Sequence, residues 1–483
     1  MLTCNGQGPI DTILIGLDKN LSSLALIPKT DAKHIASYVE KKPDIMKYGA
    51  IETFHCASGG KVMTYFLVGM CAKPADWTEQ DDFYLAQHMM AAAMDDSVRD
   101  LSVYADTLQM ELVTLIDGLM YRNYEFSMYR KDYQSHVVKV INLVSDKLDD
   151  KEFNRLCYVC SSIYEGIYIA RNLVNMPPND LTPRRLSEIA DSECKAENIK
   201  TEILKRWNLE KLKMGGLLAV GKGSMNNPVM MTIEYTGNPD SHEKLAIVGK
   251  GITFDSGGLS LKSHENLEFM KSDMAGAATA IGVIRALMLL KYPVNVMAVI
   301  PCAENIPSGL SYHVDDIITS YSGKTIEIKN TDAEGRLILA DGITYAQELG
   351  ATKLIDLATL TGACVTAFGT VRTGVLGNNQ PWLNKIFDIG MNVHEKMWPF
   401  PNDKEYEELI KSDVADIKNT GGREGGAITA GLFIKAFVKP HIPWIHLDIA
   451  GTAFCEKKTD TGFFGATGVG VKTILELLKG GQP

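Results

Sequence analysis

The chain has no excess of positive charge. Its 483 residues carry 49 Lys and Arg against 59 Asp and Glu, a formal net charge of -10 at pH 7. A general nucleic-acid binder usually needs a basic face, so nucleic acid is not an expected partner. Nor is there an unbroken apolar run of the ~18–20 residues that a membrane span needs. The most apolar stretch, 280–300, is interrupted by Arg285, Lys291 and Pro293. Residues 1–17 show neither a basic n-region nor a long apolar h-region, so no secretory signal is expected. The nine cysteines are odd in number and scattered, which excludes a dense disulfide framework and points to a reducing compartment, the cytoplasm. Cys157 and Cys160 have CxxC spacing without a second CxxC or a His pair, and are expected to be two buried or idle thiols on a helix. No repeat of 20–50 residues and no low-complexity tract is present.

What is present is an ordinary globular composition, 45% hydrophobic and 22% charged. Residues 1–165 read as a small α/β domain, with strands at 12–16 and 62–68 and helices at 85–105 and 153–172. The double proline Pro177-Pro178, beyond the second helix, marks the change to a larger domain, 166–483. There, apolar strands at 217–220, 230–235, 245–248, 294–300 and 354–357 alternate with helices at 275–290, 337–349 and 430–438. This alternation predicts a central mixed, largely parallel sheet flanked by helices.

The most informative stretch is Asn330-Thr331-Asp332-Ala333-Glu334-Gly335-Arg336-Leu337. It lies between a strand-like run, 325–329, and a helix-like run, 337–343, and such junctions are where open α/β sheets place their chemistry. Read alone, Asp332 and Glu334 are helix caps and Arg336 is solvated. Two further blocks change the weighing. Lys250 and Asp255 stand in the glycine-rich run 249–258, which follows a buried-type strand. Lys262 comes after a short strand-like run at 259–261, and Asp273 precedes the helix at 275, where it could equally be an N-cap. Four carboxylates on strand ends and helix starts offset two divalent cations about 3.5–4 Å apart, and without cations they raise one another's pKa. The run Gly216–Gly223 is a near miss for a phosphate-binding loop, because Gly223 stands where Ser or Thr must reach Mg²⁺.

In these blocks the chain resembles the leucyl aminopeptidases of the cytosol type, the M17 metallopeptidases. NTDAEGRL at 330–337 is that family's signature octapeptide. GKGITFDSGGLSLK at 249–262, KSDMAGAAT at 271–279, DLATLTGAC at 356–364, REGGAITA at 423–430 and HLDIAGTAF at 446–454 follow its other blocks in order. NLVNMPPNDLTP at 172–183 is similar to the start of its catalytic domain. The resemblance implies metal ligation by Lys250, Asp255, Asp273, Asp332 and Glu334, with Asp255 and Glu334 bridging two ions (Zn²⁺ or Mn²⁺; Mg²⁺ or Co²⁺ also suit such oxygen-rich sites). It implies catalytic roles for Lys262, which stabilises the developing oxyanion, and for Arg336, which holds a bicarbonate that moves the proton. Met270, Thr359, Gly362, Ala450 and Ala453 would line an apolar pocket for the first side chain, of Leu or Met type, with Leu360 helping to align the substrate backbone. Phe454 is expected to shape that pocket. The substrates implied are peptides with a free N-terminus, and the assembly is a homohexamer of two stacked trimers, with the N-terminal domain serving assembly or access. His264 and His446, at the margins of the blocks, are expected to be structural. The contrasting expectation, a non-catalytic binding or structural protein on this fold, such as a DNA-binding one, predicts lost ligands. None is lost.

Overall fold

A computed structural model describes residues 1–5 and 11–479. It divides the chain into two compact units, Met1–Tyr164 with Lys458–Phe463, and Glu165–Lys457 with Phe464 onward. The helix Asp150–Asn175 carries the chain from one to the other.

The first unit is built on β1 (Leu2–Cys4), β2 (Thr12–Leu17), β3 (Ile51–Ser58), β4 (Lys61–Gly69), β5 (Asp100–Tyr104) and β6 (Val140–Val144), in the order β1-β6-β5-β2-β4-β3. Only the β3–β4 hairpin is antiparallel. Its turn uses Gly59 and Gly60 at φ of 59° and 81°, a region that glycine enters without strain. The helix expected over 85–105 is two elements. Thr78 and Asp81 form a capping box for a helix over Glu79–Asp95. Ser97 then turns the chain at φ 56°, and β5 begins. The apolar period changes from helical to alternating at Leu101 and Val103, inside a span that reads as continuous by composition. Cys157 and Cys160 are both buried as expected, but Cys157 is paired with Cys4 through their sulfurs rather than a free thiol. That partner lies 153 residues away in sequence, beyond any spacing rule.

The second unit contains β7 (Ile199–Leu204), β8 (Val229–Thr236), β9 (Leu245–Gly249), β10 (Gly251–Asp255), β11 (Asn295–Asn305), the short β12 (Ile317–Thr319) and β13 (Thr325–Glu327), β14 (Lys353–Ala358), β15 (Thr373–Gly377), β16 (Met397–Pro399), the two-residue β17 (Ile417–Lys418) and β18 (Trp444–Asp448). The main sheet runs β16-β15-β18-β14-β9-β11-β8-β7. Its centre, β18-β14-β9-β11, is parallel, and antiparallel pairings lie toward both edges, so the sheet is mixed and largely parallel as expected. β9 and β14 are buried along nearly their whole length, which is why they read as continuous apolar runs rather than alternating ones. The helices Ala275–Leu290 and Gly335–Glu348 pack on them.

Two further expectations give way. Residues 217–220 belong to a helix, Gly215–Val220, not a strand. Four apolar residues in a row carry no period, and tertiary contact decides: Leu217 N donates to Asp341 Oδ2 at 2.9 Å on the helix Gly335–Glu348. The strand that a phosphate-binding loop requires is therefore missing as well. Residues 259–261 form a turn rather than a strand, with Leu259 and Leu261 exposed and Ser260 N tied to Thr331 Oγ1 at 2.7 Å. The stretch His264–Leu290 has the length and hydropathy of a membrane span over an 18-residue window, yet 78% of that window is buried in the fold.

Candidate metal centre and active site

The parallel strands β9, β14 and β18 deliver their C-terminal ends to one edge of the sheet, and the candidate residues gather there. Lys250 is the single residue between β9 and β10. β10 then leaves β9 and pairs with the end of β11, with a register shift between Ile252 and Phe254. The shift brings Asp255 opposite Asn305, and the positive φ of Gly257 and Gly258 turns the chain back so that Lys262 faces the cluster. Asp273 precedes the helix Ala275–Leu290 without capping it, since Met274 holds the cap position. Asp332, Glu334 and Arg336 enter from the loop after β13, where Glu334 and Gly335 open the next helix.

One oxygen from each of Asp255, Asp273 and Glu334 lies within 4.8 Å of the others, and all three residues are buried. Lys250 Nζ stands 2.7 Å from Asp273 Oδ1 and 2.9 Å from Glu334 Oε1, and donates to the Thr359 carbonyl at 2.8 Å. Lys262 Nζ lies 2.8 Å from Asp255 Oδ2 and 2.5 Å from Asp332 Oδ1. Asp332 is the most accessible of the four carboxylates, its side chain 32% exposed. Gly335 lets Lys250 pass, because an added Cβ would sit 2.6 Å from Lys250 Cε and 2.8 Å from its Nζ.

The electrostatics show a shortage of positive charge. Burial, then the charge of Glu334, pushes Asp255 up to about 6 despite two nearby lysines. Burial also raises Asp273 well above the usual carboxylate range, and raises Asp332. For Glu334 burial works the same way, but Lys250 and Lys262 outweigh it and hold its pKa low. Burial disfavours both ammoniums, yet the surrounding carboxylates prevail and raise them. Burial brings Arg336 down to about 10. Two ammoniums leave four clustered carboxylates incompletely neutralised, a deficit that divalent cations relieve. Asp273 Oδ2 is buried with no hydrogen-bond partner, an oxygen available to a cation. The donor set, four carboxylates and one amine, suits hard or borderline dications.

The cluster floors an open cavity of about 1280 Å³. Met270, Thr359, Leu360, Gly362, Ala450 and Phe454 line it, as do the candidate metal ligands, Lys262 and Arg336. Ala453 does not reach its wall. It is 2% exposed, because the turn closed by its N–H on the Ile449 carbonyl points it into the core, and Phe454 reaches the cavity instead. Arg336 Nη1 donates to the Asn419 carbonyl at 2.8 Å, and its buried Nε has no partner. His264 is exposed, and His446 is buried with Nδ1 2.6 Å from Asp356 Oδ1, so neither joins the cluster.

Several residues that build the site carry no local sequence signal. Asn305 Nδ2 donates to Asp255 Oδ1 at 2.9 Å and to the Thr331 carbonyl at 3.0 Å. Tyr312 donates to that same carbonyl at 2.7 Å. Thr331 Oγ1 donates to the Gly257 carbonyl at 2.7 Å, stitching the octapeptide to the Asp255 turn.

The family model described as the cytosol aminopeptidase family, catalytic domain, matches residues 168–475. The chain is 42% identical over 369 residues to a probable cytosol aminopeptidase of Alkaliphilus metalliredigens, covering 76% of this chain and 74% of the relative. A probable cytosol aminopeptidase of Koribacter versatilis is 38% identical over 497 residues, covering 96% of this chain and 95% of the relative. Among solved structures, the bottromycin maturation enzyme BotP in complex with Mn superposes with a TM-score of 0.84 at 26% identity, covering 98% of this chain and 99% of that one. Likeness at this length and identity leaves no support for a non-catalytic role: the chain belongs to the cytosol aminopeptidase family and is a metal-dependent aminopeptidase.

Proposed function

We propose that the enzyme releases Leu- and Met-like residues from peptide N-termini at a two-cation centre held by Lys250, Asp255, Asp273, Asp332 and Glu334. The observation that carries this reading is the set of buried carboxylate oxygens within 4.8 Å of one another on the cavity floor. Asp255 and Glu334 would be shared between the two ions. Asp332, at the accessible margin, would hold the more exchangeable one. Lys250 must be neutral to ligate, so it would give up its proton on joining Asp273 and Glu334 around a cation. When bound, the cations supply Lewis acidity toward water and the scissile carbonyl and bind the free α-amine.

Lys262 is the one ammonium facing the cavity from the Asp255–Asp332 side, and it stabilises negative charge developing on the carbonyl oxygen. Arg336 presents its partnerless Nε to a planar anion, for which its fork is suited. A bicarbonate held there would supply a base for the water's proton and an acid for the leaving amine. Met270, Thr359, Gly362 and Ala450, with Leu360 and Phe454, form an apolar or small-residue wall that favours unbranched or γ-branched first side chains. Zn²⁺ and Mn²⁺ are the favoured ions. The protein acts in the cytoplasm, a reading that the relatives' name supports, and assembles as a homohexamer with its N-terminal domain, residues 1–165, serving assembly or access.

The test is hydrolysis of a panel of amino-acid para-nitroanilides with Zn²⁺ or Mn²⁺ and after chelation. Leu and Met substrates are expected to lead the panel. Preference for acidic or basic first residues would refute the specificity, and light scattering at the monomer mass would refute the assembly.

A further inference from the structure

We infer that Asp448 is a positioning residue for specificity: its buried carboxylate fastens together the two loops that wall the first-side-chain pocket. The inference rests on the aminopeptidase reading and on the placement of that pocket. β14 and β18 run parallel with Ala358 opposite Asp448, so their following loops, 359–361 and 449–453, leave the sheet side by side. The first carries Thr359 and Leu360 to the cavity and leads into Gly362. The second carries Ala450. Asp448, 1% exposed at the end of β18, reaches both. Its Oδ1 accepts from Leu360 N at 3.2 Å and from Ala450 N at 3.2 Å. Its Oδ2 accepts from Thr361 Oγ1 at 2.7 Å. Thr361 Oγ1 in turn accepts from Cys364 N at 3.0 Å, capping the helix Gly362–Phe368.

Three donors converging on one side chain explain why it is a carboxylate. An ionised Asp only accepts. An Asn amide group would instead point N–H toward the Thr361 hydroxyl and leave that O–H without its acceptor. A buried polar side chain is retained only when it is hydrogen-bonded, and these three donors meet that need at Asp448. No hydrogen bond joins its carboxylate to the five candidate metal ligands. Its effect falls on pocket width and on alignment of the substrate backbone, where small displacements change relative turnover of large and small side chains.

The experiment compares kcat/KM for leucine and alanine para-nitroanilide in wild type, Asp448→Ala, Thr361→Val and Thr361→Ser, with metal content measured on each. Asp448→Ala is expected to lower the Leu/Ala ratio about 10-fold, mainly through KM for the leucine substrate, with wild-type metal content. Thr361→Val should lower the ratio as well, and Thr361→Ser, which keeps both hydroxyl bonds, should restore it. Should Asp448→Ala fail to fold, the Thr361 pair decides alone. An unchanged ratio in folded, metal-loaded Asp448→Ala, or a Thr361→Ser as impaired as Thr361→Val, overturns the inference. Wild-type protein inactive on every substrate would instead overturn the reading on which it rests.

Discussion

Asn305→Ala isolates what holds the centre in shape, because Asn305 is no candidate ligand. The side chain is 1% exposed, and its Nδ2 joins Asp255 Oδ1 at 2.9 Å to the Thr331 carbonyl at 3.0 Å. A hydrogen bond to a charged group contributes about 1.5–3 kcal/mol and one between neutral groups about 0.5–1.5 kcal/mol. The first bond fixes the carboxylate proposed to bridge both cations. The second fixes the octapeptide that supplies Asp332 and Glu334. Losing an outer partner of a ligand typically weakens metal binding about 10–100-fold, which is about 1.4–2.8 kcal/mol and matches the strength of the Asp255 bond. The assay is competition for Mn²⁺ against a chelating dye, with far-UV circular dichroism to establish the fold. The expected result is a folded variant whose Mn²⁺ Kd has risen by that factor. A folded variant binding Mn²⁺ within about twofold of wild type would refute the idea that Asn305 orients Asp255.

Gly335→Ala places a methyl group against Lys250 Cε and Nζ, so metal content and activity should fall together, as metal analysis and turnover on one sample will show. Lys262→Met removes the ammonium beside Asp255 and Asp332. Its kcat should drop about 10²–10³-fold, with metal content retained. Asp341 supplies a pH prediction away from the centre. Burial pushes its carboxyl up to about 7 from 3.8, although the backbone N–H groups of Tyr321, Leu217 and Gly216 oppose the rise. The native state therefore holds a proton that the unfolded chain releases, so this group's stabilisation is full below 3.8 and is lost as pH rises through about 7. Urea denaturation between pH 4 and 8 should show the wild type losing on the order of 4 kcal/mol to this group. Asp341→Asn should flatten that slope, and an equal slope in both proteins would refute the assignment.

The blocks that meet in the carboxylate cluster were legible in the sequence because each is local: a strand end, a glycine-rich turn, and a carboxylate or lysine within a few residues. The parallel sheet was legible because buried strands are uniformly apolar. What stayed hidden depends on distant partners. The stretch 217–220 became helix through Asp341, more than a hundred residues away. Asn305 and Asp448 act across strands whose neighbours the sequence does not state. Phe454 reaches the cavity as expected, while Ala453 does not, because a single turn decides which of two adjacent side chains faces it.

The central claim is that this chain needs a pair of divalent cations to cleave peptide N-termini. Its most direct test is a titration of chelator-treated enzyme with Mn²⁺, following leucine para-nitroanilide hydrolysis and bound metal together. The account predicts no turnover in the treated protein and full recovery at two equivalents of metal per chain. Full activity after complete metal removal, or recovery complete at a single equivalent, would contradict it.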